Sequence, residues 1–144
     1  MPDGSSAELK DAYNSLLVPL LLNSALAALK VQPQTSANVR PSVDCATRAL
    51  SMPALNSADK GKYHLCIFYD AGLDRACPTS AKALYRRALA RVVLKEDDAA
   101  ESDLVAASQL VPEDQAINNE LAKVRQMRKE KKEKEKKAFK KMFA

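Results

Sequence analysis

Lys82-Ala-Leu-Tyr-Arg-Arg-Ala-Leu-Ala90 decides the fold class of this 144-residue chain. At the helical step of about 100° per residue, Ala81, Leu84, Tyr85, Ala88 and Val92 fall on one stripe, which predicts a helix over about 80–94 with that stripe buried. Ala100, Leu104 and Ala107 follow at helical spacing and Pro112 closes the unit, so a second helix is expected over about 97–110. Small residues stand where the two helices must approach closely.

A helix-turn-helix unit of about 34 residues with this pattern reads as a repeat of the tetratricopeptide (TPR) type. Such a repeat is a peptide-binding scaffold, not a catalyst. Lys82, Arg86, Leu89 and Val93 lie along the flank of the first helix, where they are expected to line a concave groove. Lys82 and Arg86 stand four apart on one face, and a like-charge pair at that spacing costs a few tenths of a kcal/mol unless an anion sits between them. The plainer alternative is a solvated basic helix.

Upstream, Leu16-Leu-Val-Pro-Leu-Leu-Leu-Asn-Ser-Ala-Leu-Ala-Ala-Leu29 reads as a buried repeat helix over about 17–30, with Pro19 near its first turn. The segment is too short to span a bilayer, and Asp3, Glu8 and Asp11 against Lys10 give residues 1–15 the wrong charge for a secretory leader. The loop Val31–Asn38 and a partner helix over about 39–51 follow, with Ala49 at a small-residue position and Pro53 ending the unit.

Taken together, Lys82-Ala-Leu-Tyr-Arg-Arg-Ala88, Leu20-Leu-Leu-Asn-Ser-Ala-Leu-Ala-Ala-Leu-Lys30 and the ending Lys131-Lys-Glu-Lys-Glu-Lys-Lys-Ala-Phe-Lys-Lys-Met-Phe-Ala144 resemble the carboxy-terminal TPR domain of the large, forty-kilodalton class of cyclophilin immunophilins. The resemblance covers most of residues 16–144. It implies a groove that holds the acidic Glu-Glu-Val-Asp tail of the ninety-kilodalton, or the seventy-kilodalton, heat-shock chaperone through a carboxylate clamp. Asn23 matches the clamp asparagine of the second repeat, and Lys82 and Arg86 match the lysine and arginine of the third. Charge-assisted bonds from Lys and Arg suit an anionic tail, and an amide adds donor and acceptor without charge. The family's cyclophilin barrel and first repeat have no counterpart in these residues, so the resemblance implies a truncated member with no isomerase site and no cofactor.

One tract interrupts the repeats. Asn23 and Lys82 are 59 residues apart, whereas equivalent positions in adjacent repeats should lie about 30 apart. Residues 61–80 differ in composition from both flanks and hold His64, Cys66 and Cys77. A long structured loop is one explanation. A translated, retained intron is the other: Gly61-Lys62-Tyr63 can encode a splice donor and Ser80-Ala81 an acceptor. Excision in frame would join Lys60 through one alanine to Lys82. The expected organisation is a polar lead-in with some helical tendency (1–15), a first repeat (16–60), the intercalated tract (61–80), a last repeat (81–114) and a capping, basic helix (115–144).

The last helix, expected over about 113–142, has two characters. Ile117, Leu121 and Val124 continue an apolar stripe that caps the last repeat. Residues 123–141 then hold eleven Lys and Arg against three Glu, so the net +5 of the chain resides in this tail. Lys131, Lys132, Lys136, Lys137, Phe139 and Phe143 are candidates for binding calmodulin or an anionic surface. The plainer reading is a solvated helix braced by pairs such as Glu130–Lys134 and Glu133–Lys137. Nucleic acid is disfavoured because no aromatic interleaves with the charges.

Remaining signals for chemistry are weak. Three cysteines without C-x-x-C spacing and a lone histidine offer no metal site, and reduced cytosolic thiols are expected, in the cytoplasm with a nuclear fraction. Glu96, Asp97, Asp98, Glu101 and Asp103 cluster where the helix dipole favours acids, with Asp98 and Glu101 expected to cap the helix over 97–110.

Overall fold

A computed structural model describes residues 4–52 and 79–143. They form helices α1 (Gly4–Lys30), α2 (Ser36–Leu50), α3 (Thr79–Val93), α4 (Asp97–Leu110) and α5 (Gln115–Met142). There is no strand among the described residues. The fold is all-α and TPR-like: α1 pairs with α2 and α3 with α4, α2 and α1 both pack on α3, and α5 closes the stack on α4. Most of the 61–80 tract, including the intron reading, lies outside the described residues, but Thr79 and Ser80 already belong to α3.

α1 departs most from the expected bounds. It begins at Gly4, which places Pro19 in the helix interior instead of the first turn. An interior proline removes one backbone bond and crowds the preceding turn, at a cost of about 3 kcal/mol. Burial of Val18, Leu21, Leu22, Ala25 and Leu29 along one side of α1 offsets that cost. A second apolar row, Leu9, Tyr13, Leu16 and Leu20, runs up the same helix at spacings of four, three and four and is exposed. This row extends the helical pattern upstream of residue 16, which is why the lead-in is helical.

α2 starts where Thr35 accepts a hydrogen bond from the Asn38 N–H, a side-chain cap that satisfies one of the free donors of the first turn. The turn between α3 and α4 is closed by Lys95 N–H to Val92 O at 3.0 Å and Glu96 N–H to Arg91 O at 2.9 Å. That pair of bonds is a Schellman turn, with Lys95 in the left-handed region (φ 63°) where glycine is commonest. The sequence expectation that Asp98 and Glu101 cap α4 is not met. Glu96 occupies the cap position and makes no side-chain cap bond, because the Schellman turn fixes the chain there. A strong acidic cap appears one helix later: Asp114, nearly buried, accepts from the N–H groups of Ala116 and Ile117 at 2.9 and 3.1 Å.

α3 is the central helix, and alanine explains how it can be. Ala81, Ala83, Ala88 and Ala90 are fully buried. Ala83 packs with Val18, Leu21, Leu22 and Ala49, and Ala90 with Leu29 and Val39, so one side of α3 meets α1 and α2. Ala88 packs with Leu104, Ala107, Ile117, Leu121 and Val124, so the other side meets α4 and α5. Each methyl lets a neighbouring helix approach more closely than a larger side chain would allow. The two rows of α1 give a direct test. Leu22→Ala, at a fully buried site, is expected to lower the unfolding free energy by about 2–5 kcal/mol. Leu20→Ala, on the exposed row, is expected to change it by under about 0.5 kcal/mol. Urea denaturation followed by circular dichroism reads both.

Candidate functional site

Asn23 lies on α1, and Lys82 and Arg86 lie on α3. Val18, Leu21 and Leu22 share a cluster with Ala83, and Leu29 shares one with Ala90, so α1 and α3 run parallel. Asn23 therefore stands on one of two neighbouring parallel helices, and Lys82 and Arg86 on the other. Lys82 is half-buried and makes no ion pair among the described residues. Asn23 is half-buried as well, and its Oδ1 is buried without a hydrogen-bond partner. A buried amide oxygen lacking a donor is costly, and a bound peptide N–H would satisfy it.

Arg86 is more enclosed than its helical position suggests. It lies 1% exposed, the largest of the fully buried side chains. The sequence reading placed it on an open flank. Its helix is instead surrounded by α1, α2 and α4, and the alanines on α3 draw those neighbours in. Leu89, expected to line the groove, is half-buried and packs against Leu29, Val39 and Ala90.

A second polar constellation escaped the sequence reading. Asp103 on α4, 4% exposed, receives Arg87 Nε at 2.8 Å and Arg87 Nη2 at 2.6 Å, the two-pronged geometry that suits a guanidinium to a carboxylate. Arg91 Nη1 donates to the same carboxylate at 2.6 Å, and also to Ala99 O at 3.3 Å. Arg87 Nη1 reaches Thr47 Oγ1 on α2 at 3.3 Å. Asp103 was read as one acid of a helix-dipole cluster. It stands beyond the first turn of α4 and pairs with two arginines one turn apart on α3, of which Arg91 also lies 3.9 Å from Glu96. The signal was present in the Arg87/Arg91 spacing, but only the pairing of α3 with α4 identifies its partner.

Of the remaining acids of that cluster, Glu96 lies 3.9 Å from Arg91, and Asp97, Asp98 and Glu101 dock the tail. Arg128 pairs with Asp98 and Glu101, Arg125 Nε with Glu101 at 3.0 Å, and Lys131 Nζ with Asp97 at 3.5 Å. The expected solvated helix is therefore fastened to α4 as far as Lys131. The bracing pairs Glu130–Lys134 and Glu133–Lys137 do not form, and Glu130 accepts from Gln126 instead. Lys132, Lys136, Lys137, Phe139 and Phe143 are exposed.

Among known proteins, the chain is 41% identical over 145 residues to peptidyl-prolyl cis-trans isomerase D of two Cryptococcus neoformans strains, JEC21 and B-3501A. It is 33% identical over 150 residues to the protein of the same name in Mycosarcoma maydis. These matches cover 99% or more of the chain but only 32% to 34% of each relative's length. No protein-family profile matches, and no solved structure matches. No helix of the described residues is long and apolar enough to cross a membrane.

Removing Asp103 tests the constellation. Asp103→Ala leaves Arg87 without its anion and Arg91 with only Glu96 at 3.9 Å, both partly buried, and is expected to lower stability by about 1.5–3 kcal/mol. The triple change of Asp103, Arg87 and Arg91 to apolar residues of similar size is expected to recover most of it. Denaturant titration of the variants measures the difference.

Proposed function

We propose that this chain is the protein-interaction module of a cyclophilin-type co-chaperone. Its TPR groove receives the acidic Glu-Glu-Val-Asp tail of the ninety-kilodalton, or the seventy-kilodalton, heat-shock chaperone through Asn23, Lys82 and Arg86. The observation that supports this reading is the parallel packing of α1 beside α3, with an unsatisfied amide on one helix and a lysine without an ion pair, together with an arginine, on its neighbour. Likeness to the isomerase D proteins across the whole chain supports it. The groove reads an extended peptide by charge-assisted hydrogen bonds to its carboxylates and by the Asn23 amide to its backbone.

Lys82 is the most accessible of the cations, so it makes the first contact. Arg86 contributes from a buried position, where its charge is less screened by solvent. Its removal would perturb the centre of α3 as well as the groove, which makes Lys82 and Asn23 the cleaner probes.

The same reading assigns no catalysis to this chain. The described residues contain no strand from which a barrel is built, and the activity named for the relatives belongs to proteins about three times as long. The purified chain is expected to accelerate prolyl isomerisation of a test peptide no faster than buffer, measured in a protease-coupled assay.

Calorimetric titration with a peptide ending in Glu-Glu-Val-Asp tests the groove. Each bond to a charged group contributes about 1.5–3 kcal/mol and a neutral one about 0.5–1.5, so the three contacts, less the cost of association, leave a dissociation constant of about millimolar or weaker. Lys82→Ala is expected to weaken binding about tenfold or more, and Asn23→Ala severalfold, with helicity unchanged in both. Micromolar binding indifferent to both substitutions would show that the peptide sits elsewhere.

A further inference from the structure

Lys131 is the last basic residue of α5 with a partner on the body of the protein. From Lys132 to Phe143 every residue is exposed. Lys132, Lys134, Lys136, Lys137, Lys140 and Lys141 stand against only Glu133 and Glu135 in this stretch. None of the six makes an ion pair among the described residues. The segment is helical to Met142 and spans about 18 Å at the helical rise per residue. Its direction is fixed by the Arg125, Arg128 and Lys131 pairs that fasten the preceding turns to α4.

The apolar residues of this segment are gathered at its tip. Phe139, Met142 and Phe143 are 60%, 73% and 75% exposed, and the two rings meet at 4.6 Å between centroids. Their spacing of three and four puts them on one face of the last turn. An apolar cluster this exposed gains nothing from the protein's own core. It is held in front of a collar of lysines.

We propose that residues 132–143 dock the protein on an anionic lipid bilayer, with the aromatic tip entering the interface and the lysines meeting the headgroups. Two features of the segment select this partner. Capture of a helix in a protein groove needs apolar anchors spread over several turns, but no apolar residue lies between Arg128 and Lys137. Single-stranded nucleic acid would need aromatics alternating with the charges along the strand path, and here they are confined to one turn. A tip that is apolar and a collar that is cationic match the depth profile of a bilayer surface. Residues outside 123–141 carry a net −3, so the body of the protein is repelled by such a surface and the tail is the part that approaches it. The surface is independent of the peptide groove on α1 and α3.

Co-sedimentation of the full chain with vesicles tests the proposal. Vesicles of phosphatidylcholine containing about a third phosphatidylserine are expected to carry the protein down, and pure phosphatidylcholine vesicles to leave it in solution. High salt should release it. Each neutralised lysine is expected to lower the partition coefficient about fivefold, so K136Q/K137Q/K140Q/K141Q should abolish sedimentation. Phe139→Ser with Phe143→Ser should lower it at least about tenfold. Arg40→Gln, an exposed cation on α2, should sediment like the parent chain. All of these positions are exposed, so circular dichroism should show an unchanged fold. Absence of binding to the anionic vesicles would overturn the proposal. So would equal binding to both vesicle types, or binding that survives loss of the aromatics. A complex with calcium-loaded calmodulin or with an oligonucleotide, at concentrations where the vesicles bind nothing, would overturn it in favour of that partner.

Discussion

The Asp103 carboxylate holds this structure in register. It is nearly buried on α4 and takes both prongs of Arg87 and one of Arg91, so α3 and α4 are locked along a full helical turn. Arg87 extends the link to Thr47 of α2. A buried carboxylate flanked by two guanidinium groups is tolerable only as a set, since each member alone would be an uncompensated charge in a weakly polar place. The arrangement therefore fixes how α2, α3 and α4 sit relative to one another more than it adds to stability. Apolar packing of Leu104, Ala107, Ile117 and their neighbours supplies the larger driving force.

That register has consequences for the groove. With α3 held against α2 and α4, its alanines bring the surrounding helices close, and α1 takes a parallel course beside it. Asn23 comes from a position far from Lys82 and Arg86 in the chain, and the packing brings the two helices that carry them side by side. The same closeness that makes the helix pair rigid also sinks Arg86 to 1% exposure.

The acids at the start of α4 serve the tail. Helix dipoles make Asp97 and Asp98 favourable in the first turn, and those same carboxylates, with Glu101, meet Arg128, Lys131 and Arg125 on α5. Several charges in one network hold geometry better than isolated surface pairs, each of which is worth little. A helix that would otherwise repel itself is anchored over its first half, and its unpaired lysines and aromatic tip are presented in a defined direction.

Much of this was legible in the chain. Apolar residues at helical spacing determined the helix type and the approximate bounds of α2 to α5, because burial of one face is a local pattern. The small residues marked the close contacts, and the charge count marked the tail. The sequence by itself also named Asn23, Lys82 and Arg86, through a resemblance and not through spacing. Three things were decided only by tertiary structure. The interior place of Pro19 depends on packing that outweighs a local preference. The role of Asp103 depends on which face of α4 meets Arg87 and Arg91, and charges separated in sequence carry no sign of their partners. The burial of Arg86 depends on helices arriving from both sides of α3, and a helical wheel records the direction of a side chain without recording what stands in front of it.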